Sequence, residues 1–509
     1  MELALAYRAP SLFSTQGDAS LLNFAPNVRR QPVFFEGAVR DPLLLRDALL
    51  NLHDVVTSDF DTRLTAQDWE RILDPVCTVA PDELFFEAFS QDESSYGRVT
   101  ARPEILVDIE RWESGTTNVD FSSGLANSIA AMRSGSRAGL RVDPDAFAVQ
   151  VEGVTTREKK VKLPPSWLRG FLNVQSAMTG ELASFEMNRA DLRNILAFMK
   201  MHREKMGPRA LVFQLRPGEK VVALFEPWNH KITLSGSVYH GAQETEVRLF
   251  GRRRLALLNR TLPKMRKLTV YLAGSGLPSF WSADLGAASF LLAVSGWTTR
   301  PFASSSLFLG ENEYSMSAST LADVLKTMRG GEKLAVDDLC RRLNLAPAMA
   351  SRALSLLCGQ GQLMFDLDAR VYRRRQVLDV PLDDLKLDFD SSRLENARKL
   401  VRESCVTVES ESESLLSRMV RGQVKGENGT YPVAVTLDAN SKIVDGDCEC
   451  SWFKYNGLRG GPCKHILALR GAVTRAGGTT DNFSTGTNPL ELDATKGTSP
   501  EEEWWKILV

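Results

Sequence analysis

The chain is poor in the features that would place it in a catalytic or membrane class. No run of about 18 apolar residues occurs, so no membrane-spanning helix is expected. It has no charge excess of either sign. Lys and Arg total 62 against 63 Asp and Glu, a net charge of −1, which excludes a polycation built to coat nucleic acid or an anionic membrane. There is no G-x-S-x-G elbow, no G-x-x-x-x-G-K-S/T loop and no G-x-G-x-x-G, since Gly274-Ser275-Gly276 stops short of the third glycine. Histidine is scarce, at 5 residues, and His53, His202, His230 and His240 stand isolated, as structural histidines do. The first residues have no basic segment followed by a long apolar one, so no signal peptide is expected. Of 7 cysteines, Cys77, Cys340, Cys358 and Cys405 are scattered without disulfide spacing, which points to a reducing cytoplasm. An enzyme is therefore not the expectation.

What the chain does have lies near its C-terminal end. Cys448-Glu449-Cys450 is followed, after 12 residues, by Cys463-Lys464-His465, so three thiols and an imidazole fall within 18 residues. Four such ligands match a closed, tetrahedral structural zinc site. The spacing agrees with the local structure it predicts. Residues two apart on a strand share a face, so Cys448 and Cys450 point the same way. Tyr431 to Leu437, the turn Asp438-Ala439-Asn440-Ser441 and the arm Ile443 to Cys450 read as a hairpin. Cys463 and His465 follow Gly460-Gly461-Pro462 and precede Ile466-Leu467-Ala468-Leu469, so they belong to a first helical turn.

The segment from Leu415 to Arg470 resembles a SWIM-type zinc finger, whose pattern is C-x-C, a variable gap and C-x-H. The match is carried by Cys448, Cys450, Cys463 and His465, with Trp452 and the C-K-H-I-L-A-L run in support. The resemblance implies one structural Zn2+ and a finger that binds DNA or protein. A long α+β region ahead of such a finger is similar to bacterial SWIM proteins, some encoded near MoxR-type ATPases and von Willebrand A proteins. It implies those as protein partners.

The rest reads as an α+β multidomain chain. Two mixed α+β domains are expected at 1–155 and 156–310. A winged-helix-like module follows at 311–380, then the zinc-stapled hairpin and helix with a preceding helix at 381–472, then a flexible tail at 473–509. Asp41 to Val56, Asn188 to Met201 and Glu246 to Arg260 read as helices. Leu84 to Phe89, Arg209 to Leu215, Lys220 to Phe225, Lys267 to Ala273 and Ala288 to Val294 read as strands, and Phe147, Val149 and Val151 alternate as on a strand. Thr320 to Met328, Val336 to Leu343, Ala348 to Cys358 and the pair Leu363 to Leu367 and Arg370 to Arg373 give the helix–helix–helix–hairpin order of a winged helix, and resemble that family. Ser391 to Arg402 reads as a helix and Glu409 to Ser414 as an exposed loop. In the tail, Ser499-Pro500 followed by Glu501 to Glu503 starts a short helix whose Trp504 and Trp505 are expected to dock on this chain or on a partner.

Three sets of residues are candidates for a binding surface. Trp452, Lys454, Tyr455 and Arg459 mix aromatics and cations between the ligand pairs, as stacking on single strands requires, or pack over the zinc core. Arg248 to Lys267 carries 8 cations and no acid, Arg252, Arg253 and Arg254 among them. A solvated face is the ordinary reading of such a run, and a phosphate-contacting face the alternative. Arg352 of the third winged-helix segment, with Arg373 and Arg374 of its hairpin, would contact DNA, although 10 cations against 8 acids over 311–378 suits a scaffold equally well. The leading expectation is a zinc-binding, non-catalytic adaptor of a cytosolic assembly. Nucleic-acid binding by the finger and winged helix, and an enzyme site in the N-terminal domains, are the alternatives.

Overall fold

A computed structural model of the chain describes residues 3–5, 12–16, 19–24, 33–60, 75–119, 123–130, 132–133, 137–142, 161–163, 165–180, 182–203, 210–296, 302, 316–328, 333–375, 392–413, 417–438, 443–457 and 462–476. Two compact units are present, Met1–Ser305 with Gly361–Val377, and Ser306–Gln360 with Leu378–Val509. The expected separation of 1–155 from 156–310 does not appear as two cores. One antiparallel sheet of eight strands runs across it, in the order β12 (Ala183–Met187), β17 (Lys267–Leu272), β18 (Ser279–Asp284), β19 (Ala288–Val294), β7 (Ser95–Ala101), β6 (Leu84–Phe89), β5 (Val76–Val79) and β9 (Gly115–Asn118). The junction is β19 against β7, with Ala288 opposite Ala101 and Val294 opposite Ser95. Sequence periodicity reports β6, β17 and β19 but not their distant partners.

The central strands β6, β7 and β19 are buried along their whole length, so both faces of the sheet are covered there. On one face lies α1 (Pro42–Val56). Asp41 caps it by accepting from the Leu44 N–H at 2.9 Å, and Leu45, Ala48, Leu49, Leu52 and Val55 form its buried stripe. A Cβ on Gly97 would stand 3.0 Å from Val55, so the helix rests almost on the backbone of β7. A five-stranded sheet holds β2 (Leu12–Gln16), β3 (Ala19–Phe24), β10 (Arg137–Val142), β4 (Phe34–Val39) and β8 (Leu106–Glu113), while β1 (Leu3–Leu5) pairs with β11 (Val161–Leu163). A four-stranded sheet holds β15 (His230–Val238), β14 (Lys220–Phe225), β13 (Leu211–Leu215) and β16 (Thr245–Leu249). Helices α2 (Ser123–Ala130), α3 (Pro165–Met178) and α4 (Arg189–Met201) complete this part of the unit. The helix expected over Glu246 to Arg260 is instead β16 followed by a 3-10 helix, Arg252–Thr261. Pairing of β16 with β13 and the left-handed Gly251 (φ 69°) between them override the helical spacing. Phe147, Val149 and Val151 lie outside the described residues.

The helices expected of a winged helix are α5 (Ala318–Thr327), α6 (Val336–Leu343) and α7 (Pro347–Gly359), all in the second unit. The hairpin that follows, β20 (Leu363–Asp366) with β21 (Val371–Arg374), belongs to the first unit. Its anchors are polar and buried. The Phe365 N–H donates to Gln175 of α3 at 2.6 Å. Arg373 pairs with Asp366 at 3.1 Å, Glu83 at 3.2 Å and also Asp82, and Arg375 pairs with Glu87 at 2.8 Å. The expected helix–helix–helix–hairpin order is present, but the hairpin belongs to the first unit and the three helices to the second.

In the second unit, α8 (Ser392–Arg402) precedes a four-stranded antiparallel meander of β22 (Val406–Glu413), β23 (Ser417–Gly426), β24 (Gly429–Asp438) and β25 (Ile443–Cys448). The stretch Glu409 to Glu413, expected as a loop, extends β22. Backbone pairing from Ser410–Arg421 to Glu413–Arg418, past a bulge after Val408, holds it despite its polarity. Helices α9 (Ser451–Asn456) and α10 (Lys464–Ala476) follow, and α10 packs on α8 and the meander. Val420, Val424, Val433, Val435, Leu437, Ile466 and Leu469 form the core between them. Among the described residues no helix is long and apolar enough to cross a membrane.

Candidate metal centre

The end of β25 supplies Cys448, which lies opposite Val433 in the β24 ladder, and Cys450 follows two residues past the strand. Cys450 is also the N-cap of α9. The Phe453 N–H donates to its sulfur at 3.4 Å, an arrangement that favours the thiolate. Cys463 sits where α10 begins, its carbonyl accepting from the Leu467 N–H at 3.1 Å, and His465 occupies the first turn. Strand end, short helix and helix start thus converge. One ligand atom from each of the four residues lies within 4.8 Å of all the others. All four residues are buried, at 2 to 4% exposure.

The electrostatics favour a cation at this point. A hydrogen bond with Cys463, then burial, push the Cys448 thiol above its ordinary range, and burial does the same to Cys450. Three sulfurs so close become thiolates together only around a positive ion, which is what a divalent metal supplies. The Nδ1 of His465 is 3.7 Å from the Cys448 sulfur, so this nitrogen faces the thiols. The donor set fits one zinc ion, held by Cys448, Cys450, Cys463 and His465. Held by these three sulfurs and one nitrogen, a zinc ion would tie the strand end to the helix start and so contribute to folding.

Two supporting residues carried no signal in the motif. Tyr431 stacks on the His465 ring at 4.6 Å, and Gly426 leaves room for the other edge of that ring. Both lie on neighbouring strands, at least 34 positions before the histidine, so only strand pairing brings them in. The Gly426–Gly429 pairing at the β23–β24 turn was the available hint.

The other candidate residues are dispersed. Trp452 is half-buried under the Arg393 guanidinium at 4.8 Å, while Lys454 and Tyr455 are exposed on α9, Tyr455 to 84%. Arg459, Trp504 and Trp505 lie outside the described residues. The basic stretch Arg248 to Lys267 does not form one phosphate-contacting face. Arg252 is buried and donates to the Ala210 and Glu226 carbonyls at 2.8 Å. Arg254 is buried against Ser94 and Ser295, and burial lowers its pKa to about 10. Arg260 pairs with Asp54 and Lys267 with Glu186. A run of like charge on a line of sequence is resolved here by acids and carbonyls from elsewhere in the unit. Arg253 is exposed, as is Arg352 on α7. Arg373 is buried in its ion pairs, which removes it from a phosphate-contacting wing, and Arg374 is half-buried.

Compared with known families, residues 433–469 match the SWIM zinc finger. The chain therefore carries a SWIM zinc finger, with the Cys448, Cys450, Cys463 and His465 cluster as its zinc site. A comparison with curated proteins finds no match. Among solved structures, the chain is similar to the proliferating cellular nuclear antigen of Entamoeba histolytica. That likeness has 10% identity and a TM-score of 0.35, over 51% of this chain and 98% of that one, a level that bears on neither function nor partner.

Proposed function

We propose that the chain is a non-catalytic adaptor whose zinc finger holds a recognition surface rigid for a protein partner. The observation that supports this best is the placing of α9 between the two ligand pairs. Cys450 caps it and Phe453 buries it, so the exposed Lys454 and Tyr455 stand on a short helix fixed at one end by the metal site. An exposed tyrosine on a rigid base is the kind of residue that anchors an interface. Partners of the MoxR-type ATPase or von Willebrand A class, implied by the pairing of an α+β region with a SWIM finger, are the first to try. A second reading uses the same residues. Tyr455 beside Lys454 would also stack on and neutralise a single-stranded nucleic acid.

An affinity pull-down from cytosol, with and without nuclease, on protein of verified zinc content separates the two. Protein partners that survive nuclease and are lost with Tyr455→Ala support the adaptor. Partners or nucleic acid lost on nuclease treatment support the second reading. No partner under either condition overturns both.

A further inference from the structure

Away from the finger, in the first unit, the C-terminal end of α4 and the β14–β15 turn build an aromatic shelf that none of the motifs identifies. Phe198 is its centre. The His202 ring stacks on it at 4.0 Å and 15°, and the His230 ring at 4.4 Å and 4°. Trp228 meets Phe198 edge-on at 5.9 Å and His202 at 5.5 Å. The shelf is held from within. Phe225 lies 4.5 Å from Phe198, the His202 Nδ1 is 3.1 Å from the Phe198 carbonyl, and the buried Arg252 sits over the Trp228 ring at 5.2 Å. Two histidines that are isolated in sequence thus share one ring.

The outer part of this shelf meets solvent. His230 and Met201 are exposed and Trp228 and His202 are half-buried. The exposed charge on the segments that carry it has one sign. Within residues 189–203 and 226–231, every exposed charged side chain is a cation, namely Arg189, Arg193, Lys200, Arg203 and Lys231. The acids of the same segments are engaged inward, Asp191 with Ser235 and Gly236 and Glu226 with Arg248.

Flat rings fixed in place, with exposed cations on the described segments that carry them, are complementary to an unpaired base followed by a phosphodiester. Duplex DNA keeps its base faces covered, and a protein partner would have to present aromatics and acids together. We propose that this shelf is a binding site for single-stranded nucleic acid, with His230 and Trp228 stacking on bases and Lys200, Arg203 and Lys231 meeting the backbone. The site is independent of the finger and of the reading given above for it.

The test is fluorescence anisotropy of a labelled single-stranded oligothymidylate titrated with the zinc-loaded full chain at low salt. Binding is expected, with His230→Ala and Lys231→Glu each weakening it by about tenfold or more. His230→Phe, which keeps a ring, should retain it. No binding by the unsubstituted chain would overturn the proposal, as would His230→Ala and Lys231→Glu binding as tightly as the parent. Loss of binding only in a Lys454→Ala, Tyr455→Ala double variant would move the site to the finger and overturn it too. Competition by duplex DNA, or by an acidic Trp-containing peptide, as effective as by the unlabelled single strand would likewise overturn it.

Discussion

A Cβ on Gly426 would lie 2.7 Å from the Nε2 of His465, so the imidazole holds its place against β23 only because residue 426 has no side chain. Tyr431 closes the ring's face at 4.6 Å. The two residues orient a ligand without touching the ligand atom, as residues behind a metal site do.

Gly426→Ala should therefore weaken zinc binding by ~10–100-fold, the usual effect of disturbing a group that orients a ligand. Competition with a chromogenic chelator measures it. Unchanged affinity would show that β23 shifts aside at little cost.

Removing zinc should unfold the meander and α10 while the first unit persists. Structural zinc contributes ~10 kcal/mol or more of apparent folding energy in small modules. Hydrogen exchange after chelation should show lost protection across β23, β24 and α10. His465→Ala should fail to retain one equivalent of metal, and retention of a full equivalent would contradict the four-ligand assignment.

In the first unit, burial opposes ionisation of Asp366, but Arg98 and Arg373 outweigh it and hold its carboxyl at about 2, below the ordinary 3.8. A lowered carboxylate contributes stability that is present above 3.8 and lost as pH falls towards about 2. Glu83 and Asp368, raised chiefly by burial, act in the opposite sense. Asp366→Asn should cost ~3–5 kcal/mol at neutral pH, because it removes the carboxylate that pairs with the buried Arg98. It should also flatten the acid limb of the stability curve relative to the parent. Denaturant unfolding between those pH values checks both.

Glu87 and Arg375 are both fully buried, 2.8 Å apart, and Tyr96 donates to the same Glu87 oxygen at 2.5 Å. Arg375→Leu alone should destabilise the first unit by ~3–5 kcal/mol, since it leaves a buried carboxylate without its cation. The Glu87→Leu, Arg375→Leu double variant should cost less than the sum of the two single changes. Thermal unfolding of the three proteins gives the coupling directly.

Much of the local structure was legible from residues alone. The Asp41 cap and apolar stripe specify α1, Asn188 specifies the start of α4, and Arg216-Pro217-Gly218-Glu219 specifies the β13–β14 hairpin. The zinc ligands were legible because they are close in sequence and chemically rare. Glu246 to Arg260 misled, because helical spacing in that stretch yields to the β13 ladder and to Gly251.

By itself the sequence determined the zinc site, since four soft ligands at strand and helix-start spacing leave few alternatives. Only the tertiary structure decided what the remaining charges and rings do. It buried Arg252, Arg254, Arg373 and Arg375 among acids and carbonyls, brought His202 and His230 onto Phe198, and gave the β20–β21 hairpin to the first unit. The physical reason is common to all three. A charge or ring is fixed by whichever partners the fold brings beside it, from Phe198 for His230, on a different element, to Glu87 for Arg375, 288 positions earlier, and a local pattern does not record them.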